Sequence, residues 1–253
     1  MSNEPASQQR AALRPELRIP AHVGVIMDGN GRWAKARGKP RTEGHVAGVK
    51  ALRALVESCI NYGVGYLTVF SFSSENWSRP KDEVSFIFGL LRRFVASDLE
   101  KLHRNNVRVK IIGSREGLDD SLRRLIAEVE TTTAMNTGLR LQVAFNYGGK
   151  AEIAEAVRRI AGLVAAGNLK AEDITEDTIG RALYTSGMPD PDIIIRTSGE
   201  QRVSNFLLWQ GAYAELVFVD ENWPDFDEAA FRRVLEDYSG RDRRYGGVEA
   251  RVR

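Results

Sequence analysis

The chain reads as an α/β fold: a single domain with a mostly parallel central sheet of about six strands, helices on both faces, and an apolar tunnel between sheet and helices. Three observations predict it. Short runs rich in β-branched and aromatic residues alternate with helix-length segments, the pattern of strands joined by crossover helices. Polar loops follow four of the strand-like runs, where open parallel sheets collect ligands. One helix-length segment is apolar around about half of its circumference, wider than the ~100° stripe of a one-sided surface helix, so it needs two apolar neighbours.

Taken in order, the first strand covers 23–27 and breaks at Asp28. A helix over 44–61 follows, with Val49, Leu52, Val56 and Cys59 on its apolar side. Strand 66–71 leads through a polar loop to helix 83–104, the widely apolar one. Strand 107–112, helix 119–134, strand 139–145 and helix 150–166 repeat the alternation. The rest comprises helix 175–184, strands 193–196 and 216–219, and a last helix near 228–238. Residues 1–18 read as a flexible tail, 19–247 as the folded domain and 248–253 as a C-terminal tail.

Composition narrows the function. With 253 residues and 43% hydrophobic content there is ample material for one core. A net charge of +2 is too small for bulk nucleic-acid binding, so no nucleic-acid partner is expected and anion recognition must come from local clusters. The lone Cys59 excludes an internal disulfide and reads as a buried structural thiol in a reducing compartment. No stretch is long and apolar enough to span a bilayer, and the polar start lacks the apolar core of a signal peptide. The expectation is a soluble protein of a reducing cytoplasm, peripheral to a membrane at most.

The turn after the first strand carries the chemistry. Asp28-Gly29-Asn30-Gly31-Arg32 places a carboxylate and two glycines before Lys35, Arg37, Lys39 and Arg41. Glycines admit an anion close to backbone N–H groups, cations neutralise it, and Asp28 can share a divalent metal with its oxygens. Asp28 reads as a loop carboxylate with no core contact. The loops at 73–80, 146–150 and 196–202 should reach the same rim, since all follow strands. Each alone is ordinary turn chemistry; the shared edge makes them a site. On the wide apolar helix, Phe86, Ile87 and Leu90 face either plain core or, with Val49, the wall of a cavity for a hydrophobic ligand. A polyphosphate rim beside such a wall suits a lipid diphosphate.

Two other classes remain. Gly29-x-Gly31-x-x-Ala34 meets the loose dinucleotide fingerprint of an NAD- or FAD-dependent oxidoreductase. Against it stand bulky Arg32 and Trp33, the Asp28 charge, and the lack of an acidic residue closing a second strand about twenty residues on. A noncatalytic anion-binding partner subunit is the other reading; Asp28 argues for chemistry instead.

The blocks HVGVIMDGNGRWAKARG, FSFSSENWSRP, FNYGGK, IIIRTSGEQRVSNFLLWQGAYAELVF and WPDF, in this order, resemble the signature blocks of the cis-prenyltransferases, specifically the bacterial undecaprenyl diphosphate synthases. The likeness runs from about Arg18 to Gly247. It implies a Mg²⁺-dependent homodimer that condenses farnesyl diphosphate with successive isopentenyl diphosphates, each new double bond cis. The product would be undecaprenyl diphosphate, precursor of the cell-wall lipid carrier, with transient peripheral membrane contact through that lipid.

The same resemblance assigns roles. Asp28 matches the essential metal-associated aspartate, and Glu215 a second such carboxylate. Gly29, Asn30, Gly31, Arg32, Trp33, Arg41 and His45 match the allylic diphosphate site; Ser73, Ser74, Glu75, Asn76, Trp77 and Arg79 match a loop that closes over the substrates. Arg196, Arg202, Val203 and Ser204, with Arg244 and Gly246 reaching across the dimer, match the isopentenyl diphosphate cradle. Val49, Phe86, Ile87 and Leu90 are the expected tunnel wall. Asn76 matches a position assigned as proton acceptor, yet a neutral amide is a poor base, so it reads as an orienting residue. Gln201 stands where some members carry histidine near the second metal site.

Overall fold

β1 (His22–Ile26) is buried at every position, as a run of five residues without a charge requires, and it lies inside the sheet. In the computed structural model, which describes residues 17–241, β1 pairs in parallel with β2 (Tyr66–Ser73) and with β5 (Ile193–Arg196). β2 continues to β4 (Arg140–Tyr147) and β3 (Arg108–Ile112), while β5 continues to β6 (Glu215–Phe218). The order is β3-β4-β2-β1-β5-β6, every pair parallel. The chain leaves β1 toward β2 but leaves β5 toward β6. These connections diverge above two adjacent strands, and such a switch point opens a crevice at their carboxyl ends.

Seven α-helices occur among the described residues: α1 (Asn30–Ala36), α2 (Arg41–Tyr62), α3 (Lys81–Arg104), α4 (Asp120–Thr132), α5 (Gly149–Ala165), α6 (Glu176–Ala182) and α7 (Glu228–Gly240). Alternation along the strands sorts the core. Val23, Val25, Leu67, Val69, Leu141 and Val143 meet the buried sides of α2, α3, α4 and α7 in the larger cluster. Ile26, Ala144 and Ile194 join Phe206 and Leu207 in a smaller cluster on the opposite face, where Phe70 packs against it. Asn146, at φ 51°, breaks the alternation of β4, so Phe145 joins the larger cluster and Tyr147 the smaller.

The boundaries follow local chemistry. Asp119 and Asp227 cap α4 and α7 by accepting from the backbone N–H groups of Leu122 and Ala230. Pro40 precedes α2 and moves its start ahead of the expected 44, and Gly63 in the left-handed region ends it. α1 is the element that the sequence reading lacked. Asn30 and Gly31 favour turns, yet these residues coil because α1 packs on α2, an override of propensity by tertiary contact. Arg18 belongs to the fold and not to a tail: its guanidinium donates to the carbonyls of Tyr238 (2.9 Å) and Arg241 (2.8 Å). Cys59 is fully buried, and burial pushes its thiol pKa well up, as a structural role requires.

Candidate active site

Asp28 lies at the switch point. Its Oδ2 receives a hydrogen bond from the Arg196 guanidinium (2.8 Å), its Oδ1 one from the Gly29 N–H (2.7 Å), and Arg32 stands 3.3 Å away. Burial opposes the Asp28 charge, but the Arg196 hydrogen bond and charge, with Gly29 and Arg32, hold its carboxyl below the usual carboxylate range. Thr197, fully buried on the neighbouring strand end, clamps the backbone: its hydroxyl accepts from Asp28 N–H (2.9 Å) and donates to Asp28 C=O (2.6 Å). The expectation of a carboxylate without core contact is corrected here, because Asp28 is the counter-ion of a buried arginine.

Gly29 must be glycine. Its φ is 100°, and a Cβ there would meet the Asn222 Oδ1 at 2.4 Å and the Ser198 Oγ at 2.8 Å. A cavity of about 770 Å³ opens beside this turn, bounded by the 28–32 turn, Arg41, His45 and Arg196, with Lys35 and Lys39 on its rim. His45 faces Glu83 at 3.4 Å, and Glu83 also pairs with Arg41 (3.5 Å) and Arg79 (3.1 Å). Burial holds the His45 pKa down despite Glu83, so the imidazole is neutral near pH 7. Glu83 was absent from the sequence reading; its place in the first turn of α3 was the available signal.

The loop after β2 forms a 3₁₀ turn, Ser74–Ser78. Asn76 closes a capping box there: its Oδ1 accepts from the Ser73 N–H (3.1 Å). With that oxygen engaged, Asn76 has donors left to offer and no basic atom. Ser73, Asn76 and Arg79 line the large cavity, whereas Ser74 and Trp77 line a neighbouring one of about 480 Å³. Trp77 donates to Asn146 Oδ1 (2.8 Å), and Glu75 accepts from Asn205 (2.7 Å).

A second cradle lies across Asp28. The Arg196 guanidinium, nearly fully buried, donates to Arg202 C=O (2.6 Å) and Ser204 Oγ (2.7 Å). Glu200 bridges the two cradles by pairing with both Arg32 (2.7 Å) and the exposed Arg202. Val203 packs against the smaller core cluster. Glu200, Thr197 and Asn205 join the site without having been singled out, since only the strand order shows what they meet.

Beneath the rim, between the sheet, α2 and α3, is a largely apolar cavity of about 80 Å³ lined by Val49, Leu52, Ile87, Leu90, Leu91 and Phe94 among others. Val49, Leu90 and Phe94 also line an outer groove of about 770 Å³, and so form the wall between them. Phe86 lies on that groove and not on the inner cavity. Trp33 lies outside the cavity lining, its indole N–H tied to Asp225 (2.7 Å) and Arg37 stacked on it at 4.4 Å. Glu215 is not brought to Asp28: it pairs with Ile193 at the start of β6, while Asp28 follows the Ile26–Arg196 level, and it binds Arg241 (2.9 Å). Arg244 and Gly246 lie outside the described residues.

A parallel α/β sheet that gathers arginines on both sides of the Asp28 carboxylate, above a largely apolar cavity, has the chemistry that suits phosphorylated apolar ligands. Comparison with known proteins is specific. A family model described as putative undecaprenyl diphosphate synthase matches residues 26–246. The isoprenyl transferase of Rhizobium meliloti (strain 1021) is 55% identical over 230 residues, covering 91% of this chain and 93% of that protein. Isoprenyl transferase 2 of Bradyrhizobium diazoefficiens is 53% identical over 252 residues, 100% of this chain and 99% of that protein.

Solved structures agree with this. Lavandulyl diphosphate synthase from Lavandula x intermedia, in complex with dimethylallyl diphosphate, superposes with a TM-score of 0.87 at 36% identity, covering 90% of this chain and 98% of that one. A probable undecaprenyl diphosphate synthase from Campylobacter jejuni gives 0.75 at 35% identity, covering 91% and 100%. The chain belongs to the isoprenyl transferase family. Nothing favours the dinucleotide alternative, and the strand order differs from the 3-2-1-4-5-6 of that fold.

Proposed function

We propose that this protein condenses farnesyl diphosphate with successive isopentenyl diphosphates into a long-chain cis-polyprenyl diphosphate, undecaprenyl diphosphate being the expected product. The observation that carries the reading is the contact of Asp28 with Arg196, which joins two cationic cradles directly above the apolar cavity. One cradle, the 28–32 turn with Arg41, suits the allylic diphosphate; the other, Arg196, Arg202 and Ser204, suits the isopentenyl diphosphate. In each, arginines exchange internal carboxylate partners such as Glu200 for diphosphate oxygens. Both substrates are then held with reacting carbons about 3–3.5 Å apart, which supplies much of the acceleration.

The residues fit Mg²⁺ as a shared ion. No group of three His, Cys, Asp or Glu side chains forms a cage among the described residues, but one ionised carboxylate plus substrate phosphates is a donor set that Mg²⁺ accepts. Bound there, the ion would neutralise charge developing on the departing diphosphate. Asp28 would hold the ion while Arg196 holds Asp28, and Asn76 donates toward the substrates without taking a proton. The growing tail enters between α2 and α3, where the narrow inner cavity and the outer groove share the Val49, Leu90 and Phe94 wall.

A homodimer completes this reading. Glu215 stands too far along the sheet edge to serve the same chain's Asp28, so a metal role for it requires a second copy. The edge strand β6 suits such a partner, with Leu216 40% exposed and nearby Tyr213 71% exposed. Among the described residues no helix is long and apolar enough to cross a membrane. The working place is the cytoplasm, with peripheral contact at the inner face of the plasma membrane when the lipid leaves. Incubation with labelled isopentenyl diphosphate, farnesyl diphosphate and Mg²⁺, followed by chain-length chromatography, should yield long polyprenyl diphosphates. Absence of any lipid product would overturn the proposal.

A further inference from the structure

The segment 202–207 is held in an unusual backbone. Ser204, Asn205 and Leu207 all take positive φ, at 46°, 66° and 44°, a region that Asn visits readily but Ser and Leu seldom do unless their surroundings impose it. The restraint acts from two sides. Arg196 grips Arg202 C=O and Ser204 Oγ, and Asn205 ties the segment to Glu75 and to 149–150. Its C=O accepts from the Gly149 N–H (2.7 Å), its Oδ1 accepts from the Lys150 N–H (2.8 Å), and its Nδ2 donates to Glu75 Oε1 (2.7 Å).

The Lys150 N–H identifies the oxygen of the Asn205 amide, so the NH₂ must face Glu75. Glu75 belongs to the 3₁₀ turn Ser74–Ser78, on the loop that would close over the substrates. Burial works against the Glu75 charge, but the Asn205 hydrogen bond, with those inside the turn, holds its carboxyl below the ordinary range. Gly148 permits the approach, because a Cβ there would meet Ser74 Oγ at 2.5 Å and Asn205 Nδ2 at 2.8 Å. One amide thus connects the second cradle, the amino end of α5 and the closing loop.

We propose that Asn205 is a positioning residue that couples the two substrate sites: a diphosphate bound to Arg196, Arg202 and Ser204 stiffens 202–205, and Asn205 passes this to Glu75, holding the Ser74–Ser78 turn over the allylic site. The inference rests on the prenyl-transfer reading above. Coupling of this kind is reciprocal, so an allylic ligand must tighten isopentenyl diphosphate by the same factor.

The test is calorimetric titration of isopentenyl diphosphate with and without an unreactive thiolo analogue of farnesyl diphosphate. The parent enzyme should bind isopentenyl diphosphate about tenfold more tightly when the analogue is present. Asn205→Asp tolerates the left-handed backbone and keeps the Lys150 acceptor, but sets a carboxylate against Glu75; it should reduce the factor to about one. Glu75→Ala removes the same bond from the loop side without touching the strained segment, and should do likewise. In Asn205→Asp/Glu75→Gln the glutamine amide donates to the new carboxylate, and the coupling should return. A merely structural role would shift both affinities and leave their ratio unchanged. Uncoupled binding in the parent, coupling that survives in either single variant, or no rescue in the double variant would overturn the inference. Failure of the parent to bind either diphosphate would overturn the prenyl-transfer reading instead.

Discussion

Removing the Asp28 carboxylate tests the centre of the site, because it should damage stability as well as chemistry. The Arg196 side chain is 5% exposed and that of Asp28 30%. Breaking a fully buried ion pair from one side costs about 3–5 kcal/mol, since the remaining charge is stranded. Water reaches the Asp28 side, and Arg202 C=O and Ser204 Oγ still accept from the guanidinium, so Asp28→Ala should cost roughly 2 kcal/mol. For a chain of this size that lowers Tm by about 4–8 °C. Inorganic pyrophosphate without Mg²⁺ should raise the variant's Tm more than the parent's, because the anion replaces the missing counter-charge and no longer meets the Asp28 carboxylate. Turnover should fall at least about 10³-fold. Thermal scans with and without pyrophosphate check both statements. Coincident midpoints for parent and variant, or equal pyrophosphate shifts, would refute the assignment of Asp28 as counter-ion.

Val49→Phe should retain the first condensations but shorten the products, because Val49 separates the inner cavity from the outer groove; a folded, active variant with unchanged chain length would remove Val49 from the tail path. Arg202→Ala should raise KM for isopentenyl diphosphate well above any change for farnesyl diphosphate and leave Tm unaffected, since Arg202 is exposed; equal KM effects would contradict the division into two cradles. His22 is buried, its ring within 2.7 Å of Pro189 C=O and 2.8 Å of Thr68 Oγ1. Burial holds its pKa below 6.5 against the Pro189 and Asp192 contributions, so the unfolded chain binds this proton first as pH falls. Its contribution is complete above about pH 6.5 and is lost as pH falls toward the folded pKa; urea midpoints should decline on acidification, less steeply in His22→Asn, and an equal slope in both would exclude His22 as the cause.

The amino-acid sequence by itself determined the layers and the rim. Short runs rich in β-branched and aromatic residues and the intervening helical segments are local patterns, and they locate all six strands within two residues of their observed limits. Because every strand is parallel, the polar loops after β1, β2, β4 and β5 necessarily share one edge. The Asp28-Gly29-Asn30-Gly31-Arg32 turn was legible for the same reason: its chemistry is contiguous. Tertiary structure alone decided what lies across from it. Asp28 and Arg196 are 168 residues apart, and their hydrogen bond exists only because β5 inserts beside β1. The Asn205–Glu75 bond, separated by 130 residues, and the meeting of Arg32 with Glu200 depend likewise on strand order and register, which no local period encodes. α1 coils although Asn30 and Gly31 open it, because α2 offers it a surface, and Glu215 stands away from Asp28 because β6 runs parallel and presents its first residue at the opposite end of the sheet. Residue types specify what a site can do; the order in which strands pair specifies which residues do it together.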